Sequence, residues 1–197
     1  MASQADRSAL EDEIGRSLAT GAVREAVARI VRGYGPEILG YLAAVLKNES
    51  DGEEAFGLFC EELLKTLGTF ERRCSARTWA YRIAWHCAQK LADDPHRRRA
   101  RRLATDEVSG LIAGVRSSSL PYLKDSARVW LQKVRESLSP EEQTLLVLRI
   151  DRELSWREVA LVMTAGGEEI EEAALRKRFD RLKQKLQQAA RDRDAPG

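Results

Sequence analysis

Arg77-Thr78-Trp79-Ala80-Tyr81-Arg82-Ile83-Ala84-Trp85-His86 carries the densest signal in the chain. Two tryptophans and a tyrosine are interleaved there with two arginines. Trp79, Ile83, Cys87 and Leu91 recur every four residues, which predicts one apolar face of a helix. Tyr81, Arg82, Trp85 and Gln89 fall on another face. Such a helix suits two roles. It can pack into a core, and it can offer planar groups for base stacking beside cations for phosphate. Taken alone, the stretch reads as an amphipathic core helix with surface arginines.

The surroundings are helical too. Gly, Pro and β-branched residues are sparse, and Ala, Leu, Arg and Glu dominate, which predicts an all-α protein. Charged residues make up 32% of the 197 and nearly cancel, leaving a formal net charge of +2. Any case for nucleic-acid binding must therefore rest on where the charges sit, not on their sum. No segment approaches the ~20 apolar residues of a membrane span, and the start has no apolar run of signal-peptide length. A cytoplasmic location is expected. Cys60, Cys74 and Cys87 form neither a CxxC pair nor a zinc pattern, so no metal and no cofactor are expected.

Upstream of the aromatic stretch, Leu10, Ile14 and Leu18 allow a short helix in an N-terminal extension, 1–21. Val23, Val27, Ile30 and Val31 mark a helix face that Gly33-Tyr34-Gly35-Pro36 is expected to bend or break, because proline disfavours helix at the residue before it. Tyr41, Leu42, Val45 and Leu46 continue the face beyond. Asp51, with Glu54 three residues on, reads as an N-cap. The helix that follows, about 52–67, is broadly apolar: it is buried on most sides, or its spare face meets a partner. Ser75 reads as the cap of the helix holding the opening stretch. Arg97, Arg98, Arg99, Arg101 and Arg102 then rim a polar segment, either a solvated helix end or a strip that tracks phosphate.

A second compact unit begins near Ser126. Val129, Trp130, Val134 and Leu138 suggest its first helix. Ser139-Pro140-Glu141-Glu142 and Ser155-Trp156-Arg157-Glu158 are capping boxes, and Leu154 with Val159 can form a hydrophobic staple. Leu145, Leu146, Leu148 and Ile150 are expected to fill the helix after the first box. A turn at Thr164-Ala165-Gly166-Gly167 leads to a last helix from about Glu168 to Ala190. It has a stripe of Leu175, Phe179, Leu182 and Leu186, and basic residues between. A short capped helix, a turn and a basic second helix read as a helix-turn-helix that lays the second helix in the major groove. The acids at 168, 169, 171 and 172 would repel phosphate, so either the expected DNA contact shifts toward Arg176–Lys185 or this domain binds DNA weakly.

Together the two units resemble the extracytoplasmic-function (group IV) sigma factors of bacterial RNA polymerase. In the first unit the resemblance rests on Tyr34-Gly35-Pro36, Asp51-Gly52-Glu53-Glu54, Phe70 and Arg77-Thr78-Trp79-Ala80-Tyr81-Arg82-Ile83-Ala84. In the second it rests on Leu138-Ser139-Pro140-Glu141-Glu142-Gln143, Leu148-Arg149, Leu154-Ser155-Trp156-Arg157-Glu158-Val159-Ala160 and Leu175-Arg176-Lys177-Arg178-Phe179.

The resemblance implies a sigma-two-like helical domain at 22–100, a linker at 101–125 and a sigma-four-like domain at 126–197. It implies that Asp51, Glu53, Glu54, Gly57, Leu58 and Glu61 meet the β′ clamp helices of the polymerase. Phe70, Arg72, Arg73, Arg77, Tyr81, Arg82, Trp85 and His86 would hold the single-stranded −10 promoter element. Arg176, Lys177, Arg178, Arg181 and Lys185 would meet the −35 element, with the second domain also on the β flap. An anti-sigma factor is a further possible partner. No catalytic residue is implied, since the polymerase performs the chemistry, and two histidines with no nucleophile motif offer no enzymatic site.

The sequence also departs from the family pattern. Gly57-Leu58 stands where the family carries Gln and an acid, Glu54 where Asp is common, and Trp85-His86 where Arg-Asn is frequent. The turn before the last helix is several residues longer than usual. These departures keep two alternatives open: a sigma-derived DNA-binding regulator, or a protein-interaction module, neither engaging core polymerase.

Overall fold

The computed structural model describes residues 4–93, 137–164 and 170–194, with side chains to 191. Every element among them is helical. The chain divides into two compact units, 1–120 and 121–197. The linker 101–125, the arginine run, the helix expected around Val129 and Trp130, and the turn and acids at 165–169 lie outside the described residues.

The first unit is built of four helices: α1 (Gln4–Ala19), α2 (Val23–Leu46), α3 (Glu49–Thr66) and α4 (Ala76–Asp93). A single 3-10 turn, Leu67–Thr69, follows α3. Helix α2 packs against each of the other three. Its buried side chains include Ile30, Val31, Ile38, Tyr41 and Leu42, all at most 1% exposed. They meet Phe56, Phe59 and Leu63 of α3 and Tyr81 and Ala84 of α4 in one core. Tyr41 and Tyr81 pack edge to face, with centroids 5.3 Å apart.

The break expected at Gly33–Pro36 does not occur. Helix α2 runs through Pro36 without interruption. Interior proline costs a helix about 3 kcal/mol, but here Tyr34, Gly35, Ile38 and Leu39 are all buried around it. Packing on three neighbours outweighs the local preference. The chain turns instead at Gly21, where φ is +73°, a conformation glycine adopts without strain. The stretch 1–21 is largely helix α1, packed on α2 within the same unit.

Helix α3 starts earlier than expected. Its cap is Asn48, not Asp51: the Asn48 side chain accepts from the Ser50 and Asp51 amides at 2.9 and 3.2 Å. Asp51 is thereby placed in the first turn, where a carboxylate still suits the dipole. Ser75 caps α4 as expected, accepting from Thr78 N at 3.0 Å.

The second unit contains α5 (Pro140–Leu146), a π-helical turn (Val147–Asp151), α6 (Trp156–Met163) and α7 (Glu172–Asp194). Both capping boxes form, Ser139 with Glu142 and Ser155 with Glu158. Leu154 and Val159 are both buried, as the staple requires. The π turn is the departure. Arg152 N donates to Val147 O five residues back, which widens the helix and turns Ile150 outward to 57% exposure. Ile150 is therefore not core. Helix α7 begins at Glu172 and buries Leu175, Phe179 and Leu182; Leu186 is half-buried.

Candidate nucleic-acid interface

Helix α4 is buried around most of its circumference. Ala76, Ala80, Ala84 and Ala88, each at most 1% exposed, mark the side of closest approach. Tyr81 and Trp85, at 0% and 2%, lie inside as well. The open strip is Trp79, Arg82, His86 and Gln89, all half-buried. This reverses two expectations from the periodicity. Trp85 and Tyr81 are core rather than DNA-facing, and Trp79 belongs to the open strip. Ile83, Cys87 and Leu91 are buried as expected.

The strip is preceded by the segment 70–75. Phe70 stacks on Trp79, with centroids 5.2 Å apart and planes tilted by 33°. The Arg82 guanidinium lies 5.7 Å from the Trp79 ring centroid. Arg72 and Arg73 are exposed in this segment; the Arg72 guanidinium lies against Gly15 of α1, and Arg73 pairs with Glu71 at 2.6 Å. Two ring systems, a guanidinium along the ring and an imidazole one turn on form a platform suited to unstacked bases and their phosphates.

Arg77 does not join this platform. It is 7% exposed. Its Nε and Nη2 donate to the two carboxylate oxygens of Glu37 at 2.7 and 3.0 Å, and its guanidinium lies 5.6 Å from the Tyr81 centroid. Burial works against the charge, but the Glu37 hydrogen bond and charge outweigh it and hold the Arg77 pKa above its usual value. The expected promoter contact is thus an internal ion pair. A run of basic and aromatic residues does not reveal which arginine has a carboxylate waiting 40 residues upstream.

Sequence reasoning also missed Glu11. Its carboxylate accepts from Ala76 N at 2.8 Å, Arg77 N at 3.0 Å and the Tyr34 hydroxyl at 2.8 Å. Two of the amides at the start of α4 are thereby satisfied from α1. Burial, reinforced by the bond to Glu11, raises the Tyr34 pKa. Nothing in the local pattern around Glu11 marks it, because its partners are distant in sequence.

On α3, Asp51, Glu53, Glu54, Gly57, Leu58 and Glu61 are all half-buried, on the helix face that the core leaves open. Glu54, Leu58 and Glu61 line a shallow groove with Cys87, Lys90 and Leu91 of α4. Ala55, Phe56, Phe59, Cys60 and Leu63 are buried, which accounts for much of the broad apolar surface of α3. Burial pushes the Cys60 and Cys87 thiols up to about 12, so both act as small core hydrophobes at neutral pH. Among the described residues no group of three or more His, Cys, Asp or Glu could hold a metal.

In the second unit, the basic residues of α7 divide. Arg176 pairs with Glu172 at 2.9 Å and lies 5.5 Å from the Trp156 centroid. Arg149 lies over the same ring at 4.5 Å and donates to Leu154 O. Trp156 in turn meets Phe179 edge to face at 5.5 Å. Lys185 reaches Glu142 of the first capping box at 3.0 Å, tying α7 to α5. Arg176 and Lys185 are thus paired at the surface of the unit, and Lys177, Arg178 and Arg181 are exposed on α7 with them.

Residues 30–103 match the family model for sigma-70 region 2. The match takes in α2, α3 and α4 from Ile30 onward, including the platform and the α3 face, and leaves α1 and the whole second unit outside. The likeness is that of this stretch, which is less than half of the chain. No curated protein matches the sequence. Among the described residues, no helix is long and apolar enough to cross a membrane.

Proposed function

We propose that the chain is a sigma factor of the extracytoplasmic-function type, acting in the cytoplasm to direct bacterial RNA polymerase to promoters. The observation that carries this reading is the coincidence of the region 2 match with an open platform of Phe70, Trp79, Arg82 and His86. In this reading the platform and the neighbouring Arg72 and Arg73 hold the melted −10 element. The half-open α3 face from Asp51 to Glu61 docks on the β′ clamp helices. The second unit acts as a helix-turn-helix in which Lys177, Arg178 and Arg181 engage the −35 element. The chain contributes binding and positioning, and the polymerase performs the chemistry. An anti-sigma factor would compete for the same α3 face.

Gly57 and Leu58 favour a second reading, a sigma-derived DNA-binding regulator, because they replace a polar pair on that face with no side chain and an alkyl group. Mixing the purified full-length chain with bacterial core polymerase separates the two. The sigma reading expects a stable complex and promoter-dependent transcripts. DNA binding with neither complex nor transcript would leave the regulator reading standing instead.

A further inference from the structure

Helix α1 precedes the family match, yet it holds the start of the helix that carries the platform. Glu11 bridges three groups: the first two amides of α4 and the hydroxyl of Tyr34 on α2. Four residues on, Gly15 faces Arg72. A Cβ at Gly15 would lie 2.5 Å from Arg72 Nη2, so the guanidinium rests on bare backbone of α1. Arg72 itself sits at φ +58°, a left-handed conformation that is strained for a non-glycine residue. Both ends of the segment between Phe70 and α4 are thus tied to one face of α1: Arg72 against Gly15, Ala76 and Arg77 against Glu11.

We propose that Glu11 is a positioning residue for promoter opening, fixing the segment 70–75 so that Phe70 lies on Trp79 at the spacing an unstacked base can use. The inference deepens the sigma reading and rests on it. The physical logic is one of pre-organisation. A carboxylate at the start of α4 satisfies amides that would otherwise need water, and it suits the positive end of the helix dipole. With those amides held, the residues just before them have little freedom. The DNA then does not have to order the segment itself. Core polymerase docking through α3 does not involve this bridge, so opening and docking should respond to it separately.

The test uses full-length wild type, Glu11→Ala, Glu11→Gln and Tyr34→Phe, each combined with bacterial core polymerase and a promoter duplex selected from a random pool by the wild-type complex. Core affinity, permanganate reactivity of unpaired thymines and amide exchange at Ala76 and Arg77 are measured together. Glu11→Ala should keep core affinity within about twofold and lose about tenfold in the opened fraction, with faster exchange at both amides. Glu11→Gln, which keeps one acceptor oxygen, should fall between it and wild type. Tyr34→Phe, which removes a bond to Glu11 but not the amide bridge, should open like wild type.

Opening and core affinity falling in parallel would overturn the proposal, as would undiminished opening in Glu11→Ala or an equal loss in Tyr34→Phe. If the wild-type chain binds no core polymerase, the sigma reading fails by itself. Exchange at Ala76 and Arg77 then still decides whether Glu11 holds the segment: unchanged exchange in Glu11→Ala overturns that too.

Discussion

The Arg77 guanidinium and the Glu37 carboxylate face each other along two hydrogen bonds, with side-chain exposures of only 9% and 18%. Removing one partner leaves the other charge in a poorly solvated place, which costs more than the pair contributes. Arg77→Ala should therefore destabilise the protein by about 2–3 kcal/mol. Adding Glu37→Ala should cost much less than a second such increment, because the orphaned charge is gone. Arg82→Ala is expected to behave differently. It removes an edge of the open strip and should change stability by less than about 1 kcal/mol while weakening single-stranded DNA binding about tenfold. Urea unfolding curves and anisotropy with a labelled oligonucleotide read the two effects separately; equal destabilisation by both substitutions would mean that Arg82 is structural too. The same helix explains what was legible. The pattern of large apolar residues located the helix and its burial, but it misphased the buried arc. The alanines at 76, 80, 84 and 88 define the tight contact, and small residues carry little weight in an apolar count. Trp79 was recoverable from its spacing to Arg82 and His86, three and seven residues on. Glu11 was not, since capping from another helix leaves no local trace.

Helix boundaries were readable at the local serine caps, though not at Asn48, where Asp51 was expected instead. Ser75, Ser139 and Ser155 each accept from an amide three residues on, and all three were visible as serines ahead of helical runs. They were not readable where packing decides. Helix α2 passes through Pro36 because its neighbours bury both sides of it, and the π turn at 147–151 rotates Ile150 outward without a sequence signal. The α2–α3 corner shows the same principle at close range. Lys47 takes the left-handed conformation, Asn48 caps α3, and Gly52 brings α3 down onto α2. A Cβ at Gly52 would stand 2.7 Å from Ala43 Cα and 2.8 Å from Ala43 N. These are backbone atoms and cannot rotate away, so the helices would have to separate. Gly52→Ala should then cost about 1–3 kcal/mol by overpacking, despite alanine's better helix propensity. Thermal melts decide the sign: a stabilised variant would show that the two helices are not in close contact at this point.

At the scale of the whole molecule, the net charge of +2 conceals how the cations are used. Total charge held no information because acids and bases nearly balance, and many of the bases are committed to acids within the fold. Arg77 pairs with Glu37, Arg29 with Glu13 and Glu25, Arg176 with Glu172 and Lys185 with Glu142. The second unit makes this division testable, because phosphate contact releases counterions and salt dependence counts the cations involved. Each cation that meets phosphate on duplex DNA should contribute about 0.9 to the slope of log affinity against log salt. Replacing Lys177, Arg178 and Arg181 together by alanine in the full-length chain should lower the magnitude of that slope by about 2–3. Replacing Arg176 and Lys185 should move it by less than about 1, and Lys185→Ala should instead loosen the tie between α5 and α7. Titrations of a fixed duplex across a salt series supply the slopes. A larger change from Arg176 and Lys185 than from Lys177, Arg178 and Arg181 would mean that these two give up their partners within the unit on binding, and that the helix reads DNA with the pairs it keeps when free.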